Sequence, residues 1–375
     1  ITVSDATVGN IVDGKNNGDV ISKVSLTKGA AAGSITTDGD VDIDDATVGA
    51  IDAGEAVTIK GGTVNGDVGG STVAITASDE DEDGKQMDVT ITGSVLANGI
   101  GTAKLTIDNE GDEGATTITI GGSVTAKYAG SDDGSASVEV GSSNTSGPIN
   151  IGGAVQGEYI KLGGNGLVTL GGVRATDEVD FSDEDGKAAE STIEFEGFNA
   201  GINSVANFTT VKLSDGTVKV MNPLNTTTLE VASDAQLIVN NSLTVEDING
   251  DGSIVAPVGA VRVNGNVDDA PALILIGAQE VGTVLYTGDR GLTDAFDLGG
   301  TTVTADKQAD GTYNYAVKAF DLSGLKAVGK DVVLGEKQTK EVSVVADAAL
   351  PQGASIVWST SDADIATVTA EGNTA

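Results

Sequence analysis

The residues best suited to chemistry in this chain are alternate carboxylates that run into a glycine. Asp79-Glu80-Asp81-Glu82-Asp83-Gly84 places Asp79, Asp81 and Asp83 at the D-x-D-x-D-G spacing with which calcium loops converge oxygens on one hard cation. Asp247-Ile248-Asn249-Gly250-Asp251-Gly252 repeats the frame with Asp247, Asn249 and Asp251. Both lack the bidentate glutamate at the twelfth position, where Thr90 and Val258 stand. Ligand positions therefore stay open for water, another loop or another chain, and the affinity expected is that of weak extracellular sites, on the order of 10⁻⁴–10⁻³ M. The competing reading is a solvated loop tip for the first stretch and a β-helix turn for the second. Asp183, Asp185 and Glu190 form a third, sparser group.

Much other chemistry is excluded by composition. The chain includes neither histidine nor cysteine, which removes imidazole and thiolate metal sites, Ser-His and Cys-His nucleophile pairs, and disulfides. Fixed cations are scarce, with arginine only at 174, 262 and 290, so the paired carboxylates that polysaccharide hydrolases and lyases use have few helpers. The net charge of −36 repels nucleic acid and anionic membranes. The longest apolar run, Ala272-Leu273-Ile274-Leu275-Ile276, is far short of the ~18 residues of a membrane span. No enzyme, no nucleic-acid partner and no membrane span are expected. The chain opens on Ile1 and reads as a trimmed piece of a longer precursor.

The elements that must position these loops are announced by a repeated phrase of two β-formers flanking a polar residue, a glycine corner and a valine. It occurs as Val57-Thr58-Ile59-Lys60-Gly61-Gly62-Thr63-Val64, Val89-Thr90-Ile91-Thr92-Gly93-Ser94-Val95, Ile118-Thr119-Ile120-Gly121-Gly122-Ser123-Val124 and Ile149-Asn150-Ile151-Gly152-Gly153-Ala154-Val155. The closing valines, Val64, Val95, Val124 and Val155, are almost evenly spaced, and a compressed copy ending at Val173 follows after a shorter interval. Side chains alternate across a strand, so Val89 and Ile91 face inward while Thr90 and Thr92 face water. A unit of this kind cannot bury its apolar face alone, and a fixed period of about 20–50 residues is the signature of a stack. Aromatic residues make up only 3%, which suits a core of small β-branched side chains.

In chain order, Asp5-Ala6-Thr7-Val8-Gly9 returns as Asp45-Ala46-Thr47-Val48-Gly49, an opening rung pair. Acidic loops at 78–84, 108–114, 131–134 and 182–186 read as hairpin tips projecting from the stack. From Asn203 the copies shorten into two ladders, Val211/Leu213, Leu229/Val231, Leu243/Val245, Val261/Val263 and, between them, Val218/Val220, Leu237/Val239, Ile254/Ala256. Thr301 to Thr304 and Tyr313 to Val317 read as an antiparallel hairpin that closes the stack. The expectation is an all-β chain: a parallel β-helix or β-solenoid with hairpin loop insertions over 1–276, a cap or connector over 277–324, and a partial immunoglobulin-like β-sandwich over 325–375.

The last segment rests on a resemblance. Gly335-Glu336-Lys337-Gln338-Thr339-Lys340, then Val357-Trp358-Ser359-Thr360-Ser361-Asp362-Ala363-Asp364-Ile365-Ala366-Thr367-Val368 with Glu371-Gly372, resembles the bacterial immunoglobulin-like (group 2) domain of surface proteins and adhesins. The bare rungs resemble parallel β-helix surface proteins, and the acidic, cysteine-free, Thr/Val/Gly/Ala-rich composition resembles surface-layer proteins. These resemblances imply an extracellular cell-surface structural protein that self-associates into a layer or filament, with calcium as the cation of its acidic loops and cell-wall attachment through segments outside this chain. The alternative is an adhesin for host or glycan ligands, with a polysaccharide-active β-helix enzyme behind it. A glycan site needs exposed rings, and residues 57–175 supply only Tyr128 and Tyr159.

Overall fold

A rung of this protein can be read from one short stretch. Strand Asp40–Val48 bends at Asp45, which holds a positive φ of 48°, and Ile51–Ala53 follows on a third side before Ala56–Val64 begins the next turn. The computed structural model describes residues 1–13, 21–77, 87–110, 116–129, 135–142, 145–164, 167–175, 191–289, 291, 296–299, 301 and 303–318, and the backbone of strands Leu325–Val328 and Ser343–Ala346. Each turn delivers one strand to each of three parallel ladders. Strands pair with their counterparts in the turns before and after, so every ladder joins residues a full turn apart along the chain.

On the first ladder Val41, Val57, Val73, Leu105, Val138, Ile160, Ile193, Val211, Leu229 and Ile248 lie in register. Val48, Val64, Ile91, Ile120 and Ile151 form the second. Ile11, Ile35, Ile51, Val68, Val95, Val124, Val155, Val173 and Val205 form the third. All are buried and belong to one continuous apolar cluster that runs from Val3 to Tyr315. Fully burying an aliphatic side chain is worth about 1.5–3 kcal/mol, and here the same side-chain type repeats directly above itself, so each rung closes the core of the last. On the outside of the second ladder Thr47, Thr63, Thr90, Thr119, Asn150 and Thr169 stack in turn. The alternation expected for Val89 and Ile91 against Thr90 is thus the one observed.

Three sequence expectations change. First, Val64 is not the equivalent of Val95. It pairs with Ile91 on the second ladder, and the residue beneath Val95 is Val68. The Val-Thr-Ile phrase of that copy belongs to the first ladder (Val57, Ile59), and a strand that rounds the corner at Gly61 carries the next face as Gly62-Thr63-Val64. Second, the described strands beside the first acidic loop are not the arms of a hairpin, and the loop residues themselves lie outside the described residues. Thr72–Ala77 and Val89–Ile91, on either side of residues 78–86, do not pair with each other; one lies on the first ladder and the other on the second, both parallel. The chain between first-ladder and second-ladder strands runs over 78–88, 110–117, 141–148 and 163–167, where in early rungs the corner is a single residue, Asp45 or Gly61. Third, the longer of the two C-terminal ladders is really two. Leu229 pairs with Ile248, while Leu243 pairs with Leu224 and Val261 on another side. The Val218, Leu237, Ile254 ladder stands, and Leu273 extends it.

Rung length explains the sequence spacings. The steps from Ile35 to Ile51 and from Ile51 to Val68 are bare rungs, whereas those from Val95 to Val124 and on to Val155 carry corner insertions and are nearly twice as long. The two copies of the opening repeat lie two rungs apart: Thr7 and Thr47 both bridge to Ala31, which lies between them.

The parallel stack continues past Ile276 to Val284–Gly288, which pairs with Val261–Val263. Strand Tyr313–Val317 then adds antiparallel to it, with Val303–Lys307 outside, which is the hairpin that the sequence placed here. Tyr286 stacks on Tyr315 with centroids 4.4 Å apart, and Phe296 meets Tyr286 edge-on at 5.0 Å. Rings concentrate here because the last rung has no successor to cover its apolar interior. Most of the segment that the sequence likens to an immunoglobulin-like domain, Trp358 included, lies outside the described residues; what is described is an antiparallel pairing of Leu325–Val328 with Ser343–Ala346.

Candidate functional site: a charge-alternating outer face

The outward side chains of the first ladder are chosen by the same period-2 rule that buries their neighbours. Flanking Val138, Ile160, Ile193, Val211 and Leu229, they form two straight columns. One runs Lys104, Ser137, Tyr159, Thr192, Thr210, Thr228, Asp247. The other runs Thr106, Glu139, Lys161, Glu194, Lys212, Glu230, Asn249. In the second column the sign of charge reverses at every rung from Glu139 to Glu230.

Lys212 Nζ lies 3.1 Å from Glu194 Oε1, and Lys161 pairs across the strip with Glu196. The Ser214 hydroxyl donates to Glu194 Oε1 at 2.6 Å. Burial pushes the Glu194 carboxyl up, but the Ser214 hydroxyl and the Lys212 ammonium outweigh it, and the group titrates below the usual glutamate range. A hydrogen bond to Glu196 holds the Lys161 ammonium above its ordinary value against partial burial, with Glu194 and Glu139 adding to the effect. Beside this column burial raises the Glu158 carboxyl, although the backbone N–H of Ala136 donates to its Oε2 at 3.2 Å and the Tyr159 hydroxyl also bonds it. Tyr159 remains 42% exposed, whereas Tyr128 is buried. Lys104, Ser137, Glu139, Tyr159, Lys161 and Glu194 surround a shallow open depression of about 310 Å³.

The depressed carboxyl has a measurable consequence. A group whose folded pKa lies below its unfolded value stabilises the fold above the unfolded pKa, about 4.3 for glutamate, and loses that contribution as pH falls through the folded value. Glu194→Gln is therefore expected to lower the melting temperature at pH 7 by no more than about 3 °C, as for a partly exposed ion pair. The deficit should shrink as pH falls below about 4. Thermal melts of both proteins from pH 3 to 7 check this; a deficit independent of pH would assign the loss to packing.

The other sequence candidates fall as follows. Asp79, Asp81 and Asp83 lie outside the described residues, as do Asp183, Asp185 and Glu190. Asp247 and Asn249 share one strand face of the two outer columns, flanking Ile248, which bridges to Val267 of the next rung, and Asp251 is an exposed residue beyond the corner at Gly250. Asp247 Oδ1 accepts the backbone N–H of Asn266 at 2.8 Å, which ties one rung to the next. Among the described residues no three Asp or Glu side chains gather closely enough to hold a metal ion.

Comparison with known proteins returns no match: no family model matches the chain, and neither does a curated protein or a solved structure. Function is therefore read from the stack and its outer face.

The charge-alternating column escaped the sequence reading because its members, Glu139, Lys161, Glu194, Lys212 and Glu230, fall at uneven intervals along the chain. Corner insertions of unequal length hide a spatial period of one rung. The available signal was the recurring apolar-charged-apolar triplet, as in Ile160-Lys161-Leu162, Ile193-Glu194-Phe195, Val211-Lys212-Leu213 and Leu229-Glu230-Val231.

Proposed function

We propose that this protein is an extracellular, self-associating structural subunit of a cell-surface layer or filament. The observation that carries this reading is the parallel stack whose strands run from Thr2 to Gly288, on which the concave feature noted above is open and shallow. A core made of repeated valine and isoleucine extends by adding rungs, which supplies length rather than an enclosed reaction chamber. A net charge of −36 suits a polymer that needs cations to assemble. Calcium is the proposed cation, because it takes ~6–8 oxygens and can bridge carboxylates of neighbouring copies, where monovalent salt only screens them.

Electron microscopy of the purified chain in chelator and in millimolar calcium tests this. Ordered sheets or filaments that grow with calcium are the expected result, blunted when Asp79, Asp81 and Asp83 are together changed to Asn. A monodisperse rod in both conditions would count against assembly and favour the adhesin reading, for which the exposed Tyr159 beside Lys104 and Lys161 is the specific observation.

A further inference from the structure

We propose that the alternating column Glu139, Lys161, Glu194, Lys212, Glu230 is a self-complementary contact through which two copies of this chain pair side by side and antiparallel. The inference rests on the self-association reading and names the surface that carries it.

Charge balance selects the face. The whole chain carries −36, so two copies brought together at most places meet acid against acid. Along this column two lysines interleave with three glutamates, and Lys104 stands in the adjoining column. Strands in a ladder are about 4.8 Å apart, so the column covers roughly 20 Å in a straight line.

Symmetry then selects the orientation. In a two-fold contact each residue faces the image of another across the axis. An axis passing between the Glu194 and Lys212 rungs sets Glu194 against Lys212, Lys161 against Glu230, and Glu139 against Asn249, each twice. The neighbouring axis, between Lys161 and Glu194, sets Lys161 against Glu194 and Glu139 against Lys212. Any axis passing through a rung opposes like charges at every step. A strip of single sign has no register that attracts; this one attracts at each of the four axes between its charged rungs, and the two central axes make the most opposite-charge pairs. Tyr159, exposed beside the strip, supplies the kind of amphipathic ring that anchors such contacts. Exposed ion pairs contribute little affinity individually, so the strip sets orientation and register while calcium and other faces add strength.

The experiment uses two full-length variants. Lys161→Glu with Lys212→Glu makes the column wholly acidic; Glu139→Lys, Glu194→Lys and Glu230→Lys together make it wholly basic. By sedimentation velocity in low salt, each alone should associate at least about tenfold more weakly than wild type, because every register now opposes like charges. An equimolar mixture should recover association, and salt should weaken it. If the basic variant fails to fold, as judged by its thermal melt, Glu194→Lys mixed with Lys212→Glu replaces it, since the first axis then pairs opposite charges throughout. A wholly acidic variant that associates as wild type does overturns the proposal and leaves self-assembly through another face standing. A mixture that stays dissociated also overturns it. Wild type that is monomeric with and without calcium overturns both this contact and the structural reading above.

Discussion

Val124→Asp is expected to lower the melting temperature by on the order of 10 °C, while Thr119→Asp, earlier in the same rung, shifts it by no more than about 2 °C. Val124 is fully buried on the third ladder between Val95 and Val155, and Thr119 is exposed on the second between Thr90 and Asn150. A carboxylate at the first position has apolar side chains above and below it and no partner within the core. It must either stay charged at a cost of several kcal/mol or take up a proton, which moves its pKa sharply upward. The variant should consequently recover part of its stability at acid pH, whereas the surface variant should not. Circular-dichroism melts at pH 7 and pH 4 make the comparison. Equal shifts at pH 7 would mean that the inward and outward faces are interchanged, and with them every ladder described above.

Gly62→Ala is expected to cost more than about 3 kcal/mol, and Gly101→Ala only about 1–2 kcal/mol. Both glycines hold a positive φ, 98° and 100°, so each substitution carries the same local strain. They differ in what a Cβ would meet. At Gly62 it would sit 2.2 Å from the carbonyl oxygen of Ala46 and 2.7 Å from its nitrogen, both backbone atoms of the preceding rung. At Gly101 nothing lies within 4 Å. Relief at Gly62 requires two rungs to separate at the corner, where the Gly62 N–H also donates to the Asp88 carbonyl of the following rung. Because neighbouring rungs stabilise one another, the damage should spread along the stack, broadening the transition as well as lowering it. Similar melts for the two variants would show that the corner yields easily and that rung spacing there is not held tightly.

Several features of this molecule were legible in the residues alone because they depend on local alternation. Val-Thr-Ile and Ile-Thr-Ile declare an apolar inner and a polar outer face wherever they occur, and four of the five phrases that end in the glycine-corner-valine cadence share one ladder: Val95, Val124, Val155 and Val173 stack as their spacing predicts. The terminal hairpin was legible for the same reason, since Ala309-Asp310-Gly311 closes a turn between two alternating segments and Gln308 N–H bonds the Thr312 carbonyl across it. Absence of histidine and cysteine removed whole classes of chemistry by composition.

Register between distant strands was another matter. Val64 has the same sequence surroundings as Val95, yet lies on a different face, because one corner residue turns a strand as effectively as a long acidic loop and sequence similarity does not distinguish them. Leu229 and Leu243 read as one ladder because each is the first of an apolar doublet, although the step between them is shorter than a full rung, which there runs from Leu229 to Ile248. Acidic insertions read as hairpins because loops flanked by strands usually are, whereas here the flanking strands find their partners in the neighbouring turns. The order of charges along the outer face follows from all of these registers together. Sequence determined which side of each strand is apolar, since that is a property of adjacent residues. Only the tertiary structure decided which strands lie over one another, and so which charges meet, because backbone hydrogen bonding between rungs is indifferent to the length of chain that joins them.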